Sequence, residues 1–267
     1  MRMCSLASGS NGNSIFAGSD TTSILIDAGV SGKKIEQGLN SFGFTSADVD
    51  AVFITHEHSD HIKCLGVFAR KYGKPIYATR KTWNAILNNP GLKAGKIPEG
   101  LYHEIRADEP VTVGDLSVNP FSISHDAADP VGYRVENGGK SCAVATDMGC
   151  YSQYTLNHLR HLDAILLEAN HDVNMLEAGR YPYPLKMRIL SDKGHLSNET
   201  CGQLLSEILH DDMKYIMLGH LSAENNYPQL AYETVSAEVT MGDNPYTARD
   251  FPIEVAKRGD AGQELEW

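Results

Sequence analysis

The sequence predicts an α/β fold, on three observations. Strand-like and helix-like runs alternate through the first and last thirds of the chain. The middle is β-rich, with short apolar runs separated by turn residues such as Asn137-Gly138-Gly139. Residues fit to hold metal ions stand just after several of the strands, where a sheet protein gathers a site from loops. The length of 267 residues, with 42% hydrophobic and 21% charged, suits a globular chain. No internal repeat, low-complexity tract or linker breaks it, so residues 1–267 are read as a single domain with two similar halves.

The elements follow in order. Met3 to Ala7 reads as a short strand, Ser8 to Ser14 as a polar turn, and Ile15-Phe16-Ala17 as a second apolar run. Thr22 to Ile26 is a strand ending at Asp27-Ala28-Gly29, and Lys33 to Leu39 is helical. Asp50 to Ile54 is a buried strand, followed by a helix from about Ile62 to Lys71. Pro75 to Ala78 is a strand and Lys81 to Leu87 a helix, while residues 88–100 are rich in glycine and proline and form a loop. Strands then run over Tyr102–Ile105, Val111–Val113, Leu116–Ser124, Val131–Glu136 and Ser141–Ala145. The last third carries a helix from about Gln153 to Leu162 and a strand from Ala164 to Leu167. A helix capped by Ser197, a strand from Tyr215 to Leu218, a helix from about Gln229 to Val239 and a strand near Ile253 complete it.

The chemistry is concentrated in Thr55-His56-Glu57-His58-Ser59-Asp60-His61. While the chain is still extended, residues two apart point the same way, so His56 and His58 can grip one ion together. Asp60 and His61 come after the chain has begun to turn and can face a second ion. Histidine and aspartate suit zinc, manganese and iron alike. Further along, the period-two rule places His125 with Phe121 and Ile123 on one face, at the inward end of its strand.

Composition excludes some classes. No apolar run approaches a membrane span, and the first residues lack the apolar core of a secretory signal. Five cysteines without a C-x-x-C pair argue for a reducing compartment and against a thiolate zinc site. The net charge of −11 disfavours a general nucleic-acid binder, although two divalent ions would add positive charge where it matters most.

Asp27, His125, Asp147 and His220 each stand just after a predicted strand. With the His56-x-His58-x-Asp60-His61 run, they form a set of five motifs that resembles the metallo-β-lactamase superfamily over nearly the whole chain. That resemblance implies an αβ/βα four-layer sandwich, two mixed β-sheets flanked by helices, with a two-metal site. It implies that His56, His58 and His125 hold one ion and that Asp60, His61 and His220 hold the other. Asp147 would bridge them, Asp27 would brace the ligand loop, and Asp60 counts also among the catalytic residues. Asp147 stands where the best-known antibiotic-hydrolysing members carry cysteine, and His58 where oxygen-reducing members carry glutamate, so both activities are disfavoured.

Two further segments, Leu166 to Asp172 and Gly194-His195-Leu196-Ser197, resemble paired motifs of transfer-RNA 3′-processing endonucleases. The resemblance implies that Glu168 orients His195 to protonate the leaving oxygen. The whole set is most similar to the YycJ/WalJ group of bacterial proteins of this fold. That likeness implies a cytoplasmic phosphodiesterase with 5′-to-3′ DNA exonuclease activity. The overall charge and the basic stretch 173–193 point to single-stranded or strand-end DNA as substrate, no membrane partner is expected, and no obligate protein partner is deducible. The stretch 173–193 sets Arg180, Lys186, Arg188 and Lys193 against Glu177 and Asp192, with Tyr181 and Tyr183 interleaved. Lys186 and Arg188 are the expected phosphate contacts, and Ser8, Asn13, Asn225 and Asn226 are expected to line the pocket. Two other readings compete: a hydrolase of small cyclic or nucleotide phosphodiesters, and a non-catalytic regulatory metalloprotein.

Overall fold

The apolar runs at the start of the chain form an antiparallel meander of β1 (Arg2–Ala7), β2 (Ser14–Gly18) and β3 (Ser23–Ile26). Three parallel additions follow: β4 (Ala51–Phe53), β5 (Ile76–Thr79) and β6 (Tyr102–Ile105). Their crossovers are helical, as parallel pairing requires: α1 (Gly32–Asn40), the short α2 (Ser59–Ile62) with α3 (Leu65–Tyr72), and α4 (Arg80–Asn88). In this computed structural model, which describes residues 1–92 and 94–267, the strands belong to two mixed sheets flanked by helices. Lys93, inside the expected 88–100 loop, lies outside the described residues. No helix among the described residues is long and apolar enough to cross a membrane.

Contacts gather into two units. The first comprises Met1–Ser122, Ala127–Lys140 and Lys257–Trp267. Besides the sheet just described, it holds the antiparallel β7 (Val111–Val113), β8 (Leu116–Ser122) and β9 (Val131–Asn137). The β7–β8 turn needs a left-handed residue, which Gly114 supplies at φ 55°. Phe16 anchors one side of the core, packed 5.1 Å from Phe42 and 5.0 Å from Phe44 between ring centroids.

The second unit comprises Ile123–Asp126 and Ser141–Ala256. It is built on a parallel run of β10 (Lys140–Ala145), β11 (Ala164–Glu168), β12 (Tyr215–Gly219) and β13 (Ile253–Val255). Its strands are nearly continuous apolar stretches, as expected of parallel strands covered on both faces. The connections hold α5 (Gln153–Leu159), α6 (Val173–Ala178), α7 (Tyr183–Ile189), α8 (Asn198–Ile208) and α9 (Pro228–Met241). Ser197 caps α8 as expected, its hydroxyl accepting from the Thr200 amide at 3.1 Å. A short β14 (Leu265–Glu266), which the sequence pattern does not announce, pairs with β1 in the first unit.

Three expectations need correction. The helix expected over 62–71 is two, because the backbone between them bonds sideways: Cys64 N donates to Ala28 O and Ala28 N to His61 O, both at 2.8 Å. The helix expected to Leu162 stops at Leu159, since His161 takes φ 56°. The 173–193 stretch, read only as a basic segment, contains α6 and α7.

Gly29 shows how tightly the turn after β3 is packed. A Cβ there would lie 1.6 Å from Asp60 O and 2.8 Å from Asn13 N. We expect Gly29→Ala to lower stability by about 3 kcal/mol or more, as forced backbone movement in a packed site does. Gly73→Ala, at φ 62° in open space, should cost only about 1 kcal/mol. Urea unfolding checks the contrast, and equal losses would show that the turn relaxes freely.

Candidate active site

In the first unit the motif begins where β4 ends. His56 is buried, His58 is half-buried at the start of α2, and Asp60 and His61 lie within α2. The change from extended chain to helix is thus where the spacing requires it. The His56 ring lies 4.6 Å from that of His58 and 4.1 Å from that of His61. Asp27, at φ 64° just past β3, is buried beneath them. Its carboxylate accepts from Thr55 N at 2.9 Å, Thr55 Oγ1 at 2.8 Å and His61 Nδ1 at 2.7 Å. Burial pushes the Asp27 carboxyl up, against the pull of His61. Thr55 Oγ1 also lies 3.0 Å from His56 Nδ1. Glu57, the spare acid of the run, accepts from the Ala128 amide at 2.8 Å and so braces a neighbouring loop.

In the second unit β10, β11 and β12 end in register, with Ala145 opposite Leu167, Leu167 opposite Leu218, and Glu168 opposite Gly219. Asp147 and His220 follow their strands in the left-handed region, at φ 60° and 56°. Glu168 is the last residue of β11 and is fully buried. These three therefore share the carboxyl edge of a parallel sheet, the place where open α/β sheets bind ligands.

Glu168 is the hub of this edge. One oxygen accepts from His195 Nδ1 at 2.8 Å and His220 Nδ1 at 2.9 Å. The other accepts from the amides of Met148 at 2.8 Å and Leu196 at 3.2 Å. Burial alone would raise its pKa, but the two imidazoles hold the carboxyl below the usual carboxylate range. Burial works against the charged His195 ring, yet Glu168 overcomes it and raises the imidazole's pKa. Asp147 Oδ1 lies 3.5 Å from His220 Nε2 and 3.7 Å from both His125 Nε2 and His195 Nδ1. His125 is turned by its Nδ1, 3.1 Å from Gly194 O.

One feature recurs across both units. His56, His61, His125 and His220 each turn Nδ1 to an oxygen of the protein, which leaves Nε2 for another partner. Metal-ligating imidazoles are held in this way, with the distal nitrogen fixed and the proximal one presented. The Nε2 of His61 also lies 3.1 Å from Asn13 Nδ2 and 3.5 Å from Asp60 Oδ2. An ion there would take the place of the asparagine contact. The histidine and aspartate donors in each unit have the chemistry of a divalent-metal site, without thiolate.

The residues expected to meet substrate are placed differently. Ser8, Asn13, Asn225 and Asn226 are buried and present little surface of their own. Asn13 takes up the Gly9 amide at 2.9 Å, and Asn226 donates to Ala169 O at 2.9 Å and to Asn198 Oδ1 at 2.8 Å. Lys186 donates to Glu177 O at 2.6 Å, and Arg188 pairs with Asp126 beside His125. Each cation is anchored within the protein through one donor, and the other donors of Lys186 and of the half-exposed Arg188 remain for a phosphate. Sequence reasoning missed Asn170, which donates to His220 O at 2.8 Å and so fixes the loop that carries that ring. Its position two residues after Glu168 was the available signal. His171 is buried and its pKa is lowered by burial to about 4, so it is neutral here.

Comparison with known proteins now bears on this geometry. The family model described as the β-lactamase superfamily domain matches residues 22–217. The chain belongs to the metallo-β-lactamase superfamily. Within the superfamily it is similar to the exodeoxyribonuclease YycJ of Bacillus anthracis, 43% identical over 231 residues and 86% of each chain. It is 44% identical to the exodeoxyribonuclease WalJ of Streptococcus pneumoniae over 238 residues, 89% of this chain and 88% of the relative. The crystal structure of the metallo-β-lactamase fold protein YhfI from Bacillus subtilis superposes with a TM-score of 0.66 at 15% identity, covering 98% of this chain and 99% of the other. The expected superfamily fold is therefore the one adopted.

The four bonds of Glu168 give a sharp expectation. In Glu168→Gln, whichever way the amide turns, its NH2 meets two donors, at about 1–3 kcal/mol for each group left unpaired. We expect a lower unfolding midpoint, less bound metal through a loosened His220, and slower turnover of all phosphodiesters. A variant with normal stability and metal content, slow only on poor leaving groups, would mean that Glu168 serves His195 alone.

Proposed function

We propose that this protein is a metal-dependent phosphodiesterase that shortens DNA from a strand end in the 5′-to-3′ direction. The observation that carries the reading is the His195–Glu168 pair beside Asp147 and His220. His195 is the partly exposed member of that group, with 18% of its side chain open, whereas the other three are buried. A proton donor must reach substrate, and a ligand need not. The exodeoxyribonuclease names of YycJ and WalJ support the same reading.

We assign His56, His58 and His125 to one ion and Asp60, His61 and His220 to a second, with Asp147 shared. Divalent ions so held would supply Lewis-acid activation of water and of phosphate oxygens. The chain's own groups do the rest. Glu168 fixes the tautomer of His195 through Nδ1 and stabilises the imidazolium, so that the opposite nitrogen can give its proton to the departing oxygen. Asp27 and Thr55 hold His56 and His61 in place. The free cysteines support a cytoplasmic location.

A second reading, hydrolysis of a small cyclic or nucleotide phosphodiester, is favoured by one observation: Lys186 and Arg188 are both engaged within the protein. Linear and closed circular single-stranded DNA, duplex DNA, cyclic nucleotides and bis-p-nitrophenyl phosphate, assayed side by side, separate the two. Equal rates on circular and linear DNA would rule out the strand-end model.

Elemental analysis should find two divalent ions per chain. Asp147→Asn should lose activity and most of the metal together, and a fully active Asp147→Asn protein with one ion or none would sink the two-metal assignment.

His195→Ala should slow cleavage of natural phosphodiesters by about 10²–10⁴-fold. It should slow p-nitrophenyl esters far less, because nitrophenolate departs without a proton. Equal losses on both substrates would show that His195 binds or supports instead of donating.

A further inference from the structure

We propose that the exposed face of α7, formed by Tyr183, Met187 and Leu190, is a platform on which the bases of single-stranded DNA stack as the strand reaches His195. The proposal rests on the nuclease reading above and names how that site takes its substrate.

The helix itself is unusual. None of its residues is buried. Tyr183 is 73% exposed, Met187 48% and Leu190 37%. Spaced four and three apart, they lie on one side of the helix. Core packing does not explain them, because α7 is pinned through its other groups. Lys186 is tied to Glu177 O and Arg188 to Asp126. The Ile189 carbonyl accepts from the His195 amide at 3.0 Å. Gly194 is pressed so close that a Cβ on it would lie 2.0 Å from Ile189 O. The helix is thus joined rigidly to the loop that carries the acid, while its apolar side faces water.

Two occupants could cover such a face, and charge and area favour a nucleic acid. A second copy would need about 800 Å² on each partner for a stable dimer, and two side chains of a seven-residue helix with the Leu190 at its C-cap provide only a fraction of that. The α7 region carries a small cationic excess against the acidic whole, with Arg180, Lys186, Arg188 and Lys193 against Glu177, Asp192 and the Asp126 that pairs with Arg188. Arg180 and Lys193 are exposed on either side of the helix. Aromatic faces beside cations accept bases of any sequence. From Ile189 back to Tyr183 the helix rises roughly 9 Å, at about 1.5 Å per residue. Tyr183, at the end of α7 away from Ile189 and the His195 loop, would therefore meet a base behind the one at the cut.

The test is a set of linear single-stranded oligonucleotides, each with one abasic site at a different distance from the end, given to the metal-loaded wild type, Tyr183→Ala and Tyr183→Phe. In the wild type, an abasic site at one position a few nucleotides in, and not at the others, should raise KM about tenfold, within the range for one stacked base. Tyr183→Ala should raise KM about as much on the intact strand and be indifferent to the abasic site, and Tyr183→Phe should behave as wild type. The same penalty in Tyr183→Ala, or no penalty at any position, overturns the platform. If the wild type degrades no DNA, the nuclease reading fails separately. Anisotropy of a labelled single strand then decides: binding that Tyr183→Ala loses supports the platform, and equal binding overturns it. A wild-type dimer in light scattering that Tyr183→Ala dissociates, with no effect on DNA, would assign the face to a second copy.

Discussion

A fully buried carboxylate is costly unless its charge is met by donors, and Glu168 is met by four. That requirement organises the second unit. Two of the donors are imidazoles, which fixes the separation of His195 from His220. The other two are backbone amides, of Met148 next to Asp147 and of Leu196 next to His195. Through one side chain the ends of β10, β11 and β12 and the loop before α8 are held in a single arrangement. His195, His220 and the loop after β10 therefore cannot drift independently. On the proposed reading, preorganisation of this kind would let His195 protonate a leaving group without first rearranging the protein.

The first unit solves the same problem with Asp27. Here too a buried carboxylate at a strand end receives an imidazole Nδ1 and a backbone amide of the ligand loop. Both units also use the left-handed conformation to turn a side chain off a strand. Among the described residues, five that are not glycine take positive φ, and three of them are Asp27, Asp147 and His220. Such backbone costs of order 1–3 kcal/mol per residue. Here the expense is offset by the hydrogen bonds and ion pairs that each of these residues makes in its strained position.

How much of this was legible in the sequence depends on how local the cause is. The elements with strong patterns, such as the apolar strands Ala164–Leu167 and Tyr215–Leu218 and the Ser197-capped helix, were readable because periodicity and capping act within a few residues. The turn away from extended chain between His58 and Asp60 was readable from ligand spacing, whereas the helix was expected only from about Ile62 and begins at Ser59. The break between α2 and α3 was not, because it is made by Ala28, more than thirty residues earlier in the chain. Glu168 could be paired with His195 through resemblance, but its bond to His220 depends on the register of β11 and β12, which no local pattern reports. The polar residues Asn13 and Asn226 look alike on the page whether they line a pocket or cap buried carbonyls. Only burial separates the two.

The same distinction alters the account of substrate recognition. Lys186 and Arg188 are anchored to neighbouring segments, and beside the half-exposed Arg188 the helix presents the apolar Tyr183 and Met187 to solvent. An acidic chain with few unengaged cations near its site neutralises few phosphates, and affinity gained that way is lost to salt. Stacking is not. On this view the backbone of the strand is gripped chiefly at the cut, where the ions sit, and the bases behind it rest on a surface that does not read their identity. An enzyme built so would process strand ends without preference for sequence, and its discrimination would lie in whether bases are unpaired and free to stack.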